Sequence, residues 1–461
     1  MRFLISLLLL LLSVLLSEFY NLKTVLISSA LIIVSYNVFY KIILIDGFEK
    51  KLKGLFSLTY VISYFLIVLI VKQSLELGSI KVPYLPGDGL TYYQLGEKLA
   101  LSNVEVTTIA LNYVGYPLVL SYMFKIFGTD LIFGFILNQI LLFLNIILIS
   151  KVSFEITKNK KTYVYSFLIL ILTSQFMATG FMLLKDGFII LSISLSLIAS
   201  LRIYNGRSNT INFIILGVAF IIMALFRFTY VWVPILIFFT LNFKTTNKFI
   251  GFPIVVVLFM GGIYFGKKMA LTDRTVKDNI EFAVSNKVIS QRLNKSSGSF
   301  VAGFISNYDN WSVVRKISFL PITTAIQFAM PFNFYEFNNS FRFSYYFVSR
   351  NYNVVWYLFV GPLLLFTIYF FVLYRSKLDY SLKRLFFLGV ILYVMPAFIF
   401  GGTIPRYSIV FFSLLVPLMA LVFFNIKQNQ ILKKKWKRFL LRYYYMIFIF
   451  LIIYLSYKIF V

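Results

Sequence analysis

The chain has 461 residues, of which 60% are hydrophobic, 20% aromatic and only 13% charged, with a mean hydropathy of +0.87. Soluble domains carry about a quarter charged residues, so this composition excludes one and points to an all-α polytopic membrane protein. The 44 Lys and Arg against 16 acids give +28, and cysteine and histidine are both absent, which removes disulfides, thiol nucleophiles, histidine-held zinc and a Ser-His-Asp triad.

In chain order, apolar runs predict spans near 3–19, 23–43, 55–71, 130–150, 162–183, 187–201, 210–226, 228–243, 249–266, 354–374, 385–401, 407–425 and 439–460. The opening "MRFLISLLLLLLSVLLSEFY" has the layout of a signal peptide. It lacks a small-residue cleavage site and a second apolar run follows at once, so it is expected to stay as the first helix. Basic loops at 46–54, 151–161, 202–207, 244–248, 375–384 and 433–438 all fall on one side when the path alternates. The positive-inside rule makes that side cytoplasmic: amino terminus inside, about 13 transmembrane helices, in the plasma (inner) membrane. The excess of cations then implies contact with anionic membrane lipids and no nucleic-acid partner.

Residues 162–201 and 210–243 are each long enough to pose a choice between one helix and two. A single helix over 210–243 would be about 51 Å long, against a hydrocarbon core of about 30 Å. Hairpins turning at "KDG" (185–187) and "RFTY" (227–230) are therefore expected. The chain divides into an N-terminal helical hairpin (1–54), a transmembrane module (55–266), a large external loop (267–353) and C-terminal transmembrane helices (354–461). The module contains a first external loop at 72–129. In it "LTYYQLGEKLALS" (90–102) reads as a short amphipathic helix and "GYPLVLSYMFKIFG" (115–128) as an interfacial or re-entrant one, with Pro117 in its first turn.

This path brings Asp88 in "PGDG", Lys185 and Asp186, Arg227, and Arg406 with Tyr407 to the same outer face. Ionisable groups at such depth are costly and usually line a wet cavity or pair with one another. Each also has an ordinary use: "PGDG" as a turn, Lys185–Asp186 as a capping pair, the arginines as snorkelling anchors, and Tyr92, Tyr93, Tyr113 and Tyr116 as interfacial aromatics. Taken together the set suits transfer from a lipid-linked phosphate or diphosphate. A carboxylate accepts the proton of an attacking hydroxyl, Arg and Lys stabilise the leaving phosphate, and Tyr92, Tyr93, Asn112 and Tyr116 shape a sugar site. No cofactor is called for, and a divalent metal on oxygen ligands stays open. A transporter or flippase of lipid-linked oligosaccharides is the reading from another class. It would place its charges near mid-bilayer rather than at the rim.

"PGDGLTYYQLGEKLA" followed by "NYVGYPLVLSYMFKIFGTDLIFGFILNQIL" resembles the first periplasmic loop of GT-C type membrane glycosyltransferases, and "TIPRYSIVFFSLLVPLMALV" a late helix of that group. The resemblance implies an enzyme using polyprenyl-phosphate or -diphosphate sugars on the external side, with a glycan or lipid acceptor and with Asp88 in the catalytic position. Two departures stand out: Asp88 follows the third span rather than the first, and glycines flank it where a paired acidic motif is usual. Polysaccharide repeat-unit polymerases of the Wzy kind are similar in their large arginine-rich external loops, matched here by Arg274, Arg292, Arg315, Arg342 and Arg350.

Overall fold

The computed structural model describes residues 2–45, 50–78, 85, 88–101, 111–207, 209–227, 230–242, 312–321, 323–324, 355–374, 379–400 and 406–460. Among them every regular element is a helix. They are α1 (Arg2–Val14), α2 (Leu22–Ile45), α3 (Lys50–Leu77), α4 (Gly89–Leu101), α5 (Leu111–Phe127), α6 (Leu131–Thr157), α7 (Lys160–Ile171) and α8 (Ser174–Ala178). After these come α9 (Asp186–Tyr204), α10 (Thr210–Arg227), α11 (Trp232–Asn242), a single turn and a half, α12 (Val313–Ser318), then α13 (Gly361–Leu373), α14 (Tyr380–Phe400), α15 (Arg406–Gln428) and α16 (Gln430–Phe460). A π-helical turn, Trp356–Val360, leads into α13.

Seven of the described helices are long and apolar enough to cross a bilayer: Leu22–Ile43, Leu52–Glu76, Leu131–Thr157, Asp186–Tyr204, Thr210–Arg227, Trp356–Leu373 and Ser408–Gln428. The chain is a helical membrane protein. Neither doubtful stretch is one long helix. Residues 162–201 break after α7, pass through the five-residue α8 and turn over 179–185 before α9 begins. Residues 210–243 part between α10 and α11. The span expected at 249–266 lies outside the described residues, as do the loop at 244–248 and Arg274, Arg292, Arg342 and Arg350; Arg315 alone of those arginines is described, in α12. One local expectation is corrected: Pro117 sits inside α5, since the helix already begins at Leu111.

The core runs around α6, whose inner faces bury residues along almost the whole helix. Hydroxyl pairs join α1, α2 and α3: Ser13 with Tyr64 at 2.6 Å, Ser35 with Tyr60 at 2.7 Å and Tyr36 with Ser57 at 2.8 Å. Polar pairs of this kind hold apolar helices together where lipid removes the hydrophobic drive between them. Gln139 on α6 donates to the Tyr60 carbonyl at 3.2 Å, and Phe56 meets Phe143 edge-on at 5.6 Å, so α3 lies against α6.

The bundle has two distinct ends. At one, Glu155 near the end of α6 ion-pairs with Lys158, and stands 3.7 Å from both Arg202 and Arg207 beyond α9. Tyr204 reaches Asp379 at 3.5 Å, Asn242 donates to the Ser200 carbonyl at 3.1 Å, and Arg384 donates to the Thr240 carbonyl at 3.4 Å. Residues 151–161, 202–207 and 379–384 thus gather at one end. Lys435 ties the start of α16 to Tyr374, just past the end of α13, at 3.0 Å. The opposite end is built from the short helices α4 and α5, the turns 15–20 and 128–130, and the irregular run 179–185.

Candidate functional site

Asp88 stands immediately before the first residue of α4, and its carbonyl accepts the Tyr92 N–H at 3.0 Å, the first bond of that helix. An aspartate at this position suits the unpaired N–H groups and positive end of a helix. The polar "GDG" therefore has a local cause, and its side chain remains half-buried at the rim. Gly89 follows in close packing, since a Cβ there would lie 3.6 Å from that of Leu85 and 3.7 Å from that of Leu183. The start of α4 is thereby placed on the run that carries Lys185 and Asp186.

That run lacks helical bonds for several of its carbonyls, and α6 supplies donors. Asn138 donates to the Met182 carbonyl and, at 3.4 Å, to that of Leu184, while its own Oδ1 accepts the Tyr116 hydroxyl at 2.9 Å. Two turns along the same face, Asn145 donates to the Gly187 carbonyl at 2.8 Å. Both asparagines are buried. They clamp either side of Lys185, in the position before α9, and Asp186, the first residue of α9 and 1% exposed. An acidic residue in a first helical turn is favoured by the helix dipole.

An aromatic row joins the pieces. Tyr92 meets Tyr116 edge-on at 5.3 Å, Tyr116 meets Phe188 at 6.3 Å, and Phe188 stacks on Phe226 at 3.9 Å. Asp88 lies one turn before Tyr92, Lys185 and Asp186 just before Phe188, and Arg227 directly after Phe226. At Gly115, α5 comes so near α10 that a Cβ would fall 2.3 Å from the Leu225 carbonyl oxygen. Only glycine allows backbones this close.

The Arg227 guanidinium lies over the Tyr230 ring at 4.8 Å, and Tyr230 packs against Phe411 at 5.3 Å, early in α15. Arg406 and Tyr407 open α15 five and four residues before Phe411, so the helix start stands at this same end. Their side chains, like that of Asn112 in the first turn of α5, lie outside the described residues.

Of the tyrosines expected to shape a sugar site, Tyr92, Tyr93 and Tyr116 are buried. The Tyr93 hydroxyl donates to the Thr129 carbonyl at 2.9 Å, and that of Tyr116 is held by Asn138. Burial, and after it the Asp186 carboxylate, keep the Tyr116 phenol well above its ordinary range, against the lowering effect of its bond to Asn138. Tyr116 is thus a neutral donor across the working pH range. Asp130, the residue before α6, accepts from the Thr24 hydroxyl at 2.6 Å and ties α2 to this end. Among the described residues no three His, Cys, Asp or Glu side chains cluster as a metal site.

The sequence reading missed Asn138 and Asn145. The signal was there: two amides seven residues apart in "NQILLFLN", on one face of a helix that is otherwise apolar. Compared with known proteins, the chain matches no family model, no curated protein and no solved structure.

Proposed function

We propose that the protein is an integral-membrane glycosyltransferase. It moves a sugar from a polyprenyl-phosphate or -diphosphate donor to a glycan or lipid acceptor at the outer face of the membrane, and builds a cell-surface glycan. The observation that carries this reading is the gathering of Asp88, Lys185, Asp186 and Arg227 around one aromatic row, with the start of α15 and Arg406 at the same end.

In the proposed step an acceptor hydroxyl attacks the anomeric carbon. The bond from that carbon to the phosphate oxygen breaks with its electron pair on the leaving lipid (di)phosphate, and the hydroxyl proton passes to the Asp88 carboxylate. Lys185, Arg227 and Arg406 neutralise the leaving group, the arginines by two-point contact with phosphate oxygens. Tyr407 stands beside Arg406 at the opening of α15, while Tyr92, Tyr93 and Tyr116 form the packed wall behind the site and Asn112 lies one turn before Tyr116 in α5. Repeat-unit polymerisation is the second reading and rests on the arginines between 267 and 353. A flippase is disfavoured because the ionisable residues of this set lie at helix ends.

The test is Asp88→Asn. Asparagine starts a helix as well as aspartate does, so α4 is preserved while the carboxylate is lost. Loss of glycan in cells with normal protein level supports Asp88 as base; glycan synthesis at the wild-type level removes it from that role.

A further inference from the structure

The end of the bundle opposite the proposed site holds an unbalanced charge cluster. Glu155 is only 6% exposed and faces three cations: Lys158 just past α6, Arg202 in the last turn of α9 and Arg207 beyond it. Lys158 takes the carboxylate in a direct ion pair. The arginines stand at 3.7 Å, near enough to be attracted and too far to hydrogen-bond. The buried Nε of Arg202 has no hydrogen-bond acceptor among the described residues. Among the described residues the three cations share one carboxylate within 4 Å, so the cluster is positive on balance.

The surroundings add to the imbalance. Lys160 and Lys161 are exposed in the first turn of α7, where Asn159 accepts the Lys161 N–H at 2.9 Å and the positive end of the helix dipole emerges. Lys158 and Arg207 are 52% and 63% exposed, so the cluster opens outward. It sits where two apolar spans, Leu131–Thr157 and Asp186–Tyr204, both end. That is the depth of lipid headgroups.

We propose that this cluster is a binding site for the phosphate of an anionic phospholipid headgroup. The lipid lies in the leaflet at the basic end and is held by Lys158, Arg202 and Arg207, with Lys160 and Lys161 beside it. The phosphate oxygens provide the second anion that the two arginines lack, and Glu155 holds the loops in the spacing that receives it. The site is independent of the chemistry at the other end.

The experiment titrates the purified full-length chain in neutral detergent with short-chain phosphatidylglycerol and follows Tm. Phosphatidylcholine of equal chain length and inorganic phosphate are the comparators. Phosphatidylglycerol is expected to raise Tm saturably and phosphatidylcholine is not. Lys158→Gln and Arg207→Gln, both at exposed positions, should each weaken the midpoint about fivefold, the usual effect of one basic residue at a lipid surface. The control is Lys434→Gln with Lys437→Gln, which removes two exposed charges from α16 and should leave the midpoint within about twofold. The proposal is overturned if that control weakens the response as much as Lys158→Gln with Arg207→Gln, since diffuse charge then suffices. It is equally overturned if phosphatidylcholine gives the same shift, or if inorganic phosphate alone reproduces it at the same concentration.

Discussion

The two ends of the bundle are held by different physics. At the basic end the contacts that cross between loops include charged and long-reach ones: Glu155 with three cations, Tyr204 with Asp379, and Lys435 with Tyr374. At the other end charged contacts lie at the edge, Glu18 with Lys72 and Asp130 with Thr24, while those around the proposed site are neutral and buried: Asn138 and Asn145 on backbone carbonyls, Tyr93 on Thr129, the row from Tyr92 to Phe226, and the glycine contact of α5 on α10. Ion pairs at a surface tolerate sliding and are screened by salt. Buried amide bonds and backbone contacts fix positions and are indifferent to salt. The end that carries the proposed chemistry has the rigid kind of scaffold, which suits a site that must hold several charged groups in register.

That contrast can be broken by substitution, and Gly115→Ala should do most. A Cβ at 2.3 Å from the Leu225 oxygen forces α5 off α10, at a cost of about 3 kcal/mol. The expected result is a clear fall in Tm and loss of activity together. Asn138→Leu should follow at about 2 kcal/mol, because it takes the buried partner of the Tyr116 hydroxyl and of the Leu184 carbonyl and one of the two donors to the Met182 carbonyl. Its Tm loss should be the same in 0.1 M and 1 M salt. Glu155→Gln sharpens the comparison from the other side. Removing the one anion among three cations should lower stability at low salt by about 1 kcal/mol, read as a fall in Tm, and high salt should erase most of that loss. If Asn138→Leu proved the salt-sensitive variant, the division of the two ends would fail. Phe188→Leu is the mildest: loss of the stack on Phe226 should cost about 1 kcal/mol, and lower activity with little change in expression.

Much of this was legible in the sequence because membrane helices are written in long apolar runs. That 162–201 and 210–243 each break follows from length alone, although the first turn lies over 179–185 and not at the expected 185–187, where Asp186 and Gly187 already open α9. "LTYYQLGEKLALS" shows its helix through its pattern. The joining of the basic loops at 151–161 and 202–207 follows from alternation of the path, and the Glu155 contacts bring those loops together. The interior of the expected span at 162–183 was not legible. Its break after Ile171 has no glycine or proline to announce it, and Thr173 bonds back to the Ile169 carbonyl at 2.7 Å instead. Pro117 misled because proline is commonest in a first turn, whereas here the helix begins at Leu111, four residues before the expected Gly115. The tyrosines read as a sugar site from their chemistry, but burial is set by neighbours far off in sequence, such as Asn138 for Tyr116.

The Asn138 clamp also bears on how the chain is assembled. The Met182 and Leu184 carbonyls belong to a run that forms no regular helix, and an unpaired carbonyl is not tolerated away from water. Their donor comes from α6, which leaves the ribosome more than forty residues earlier. The segment carrying Lys185 and Asp186 therefore takes this seat only against an α6 that has Asn138 turned inward. One amide in α6 thus makes the seating of a later segment conditional on the orientation of an earlier helix.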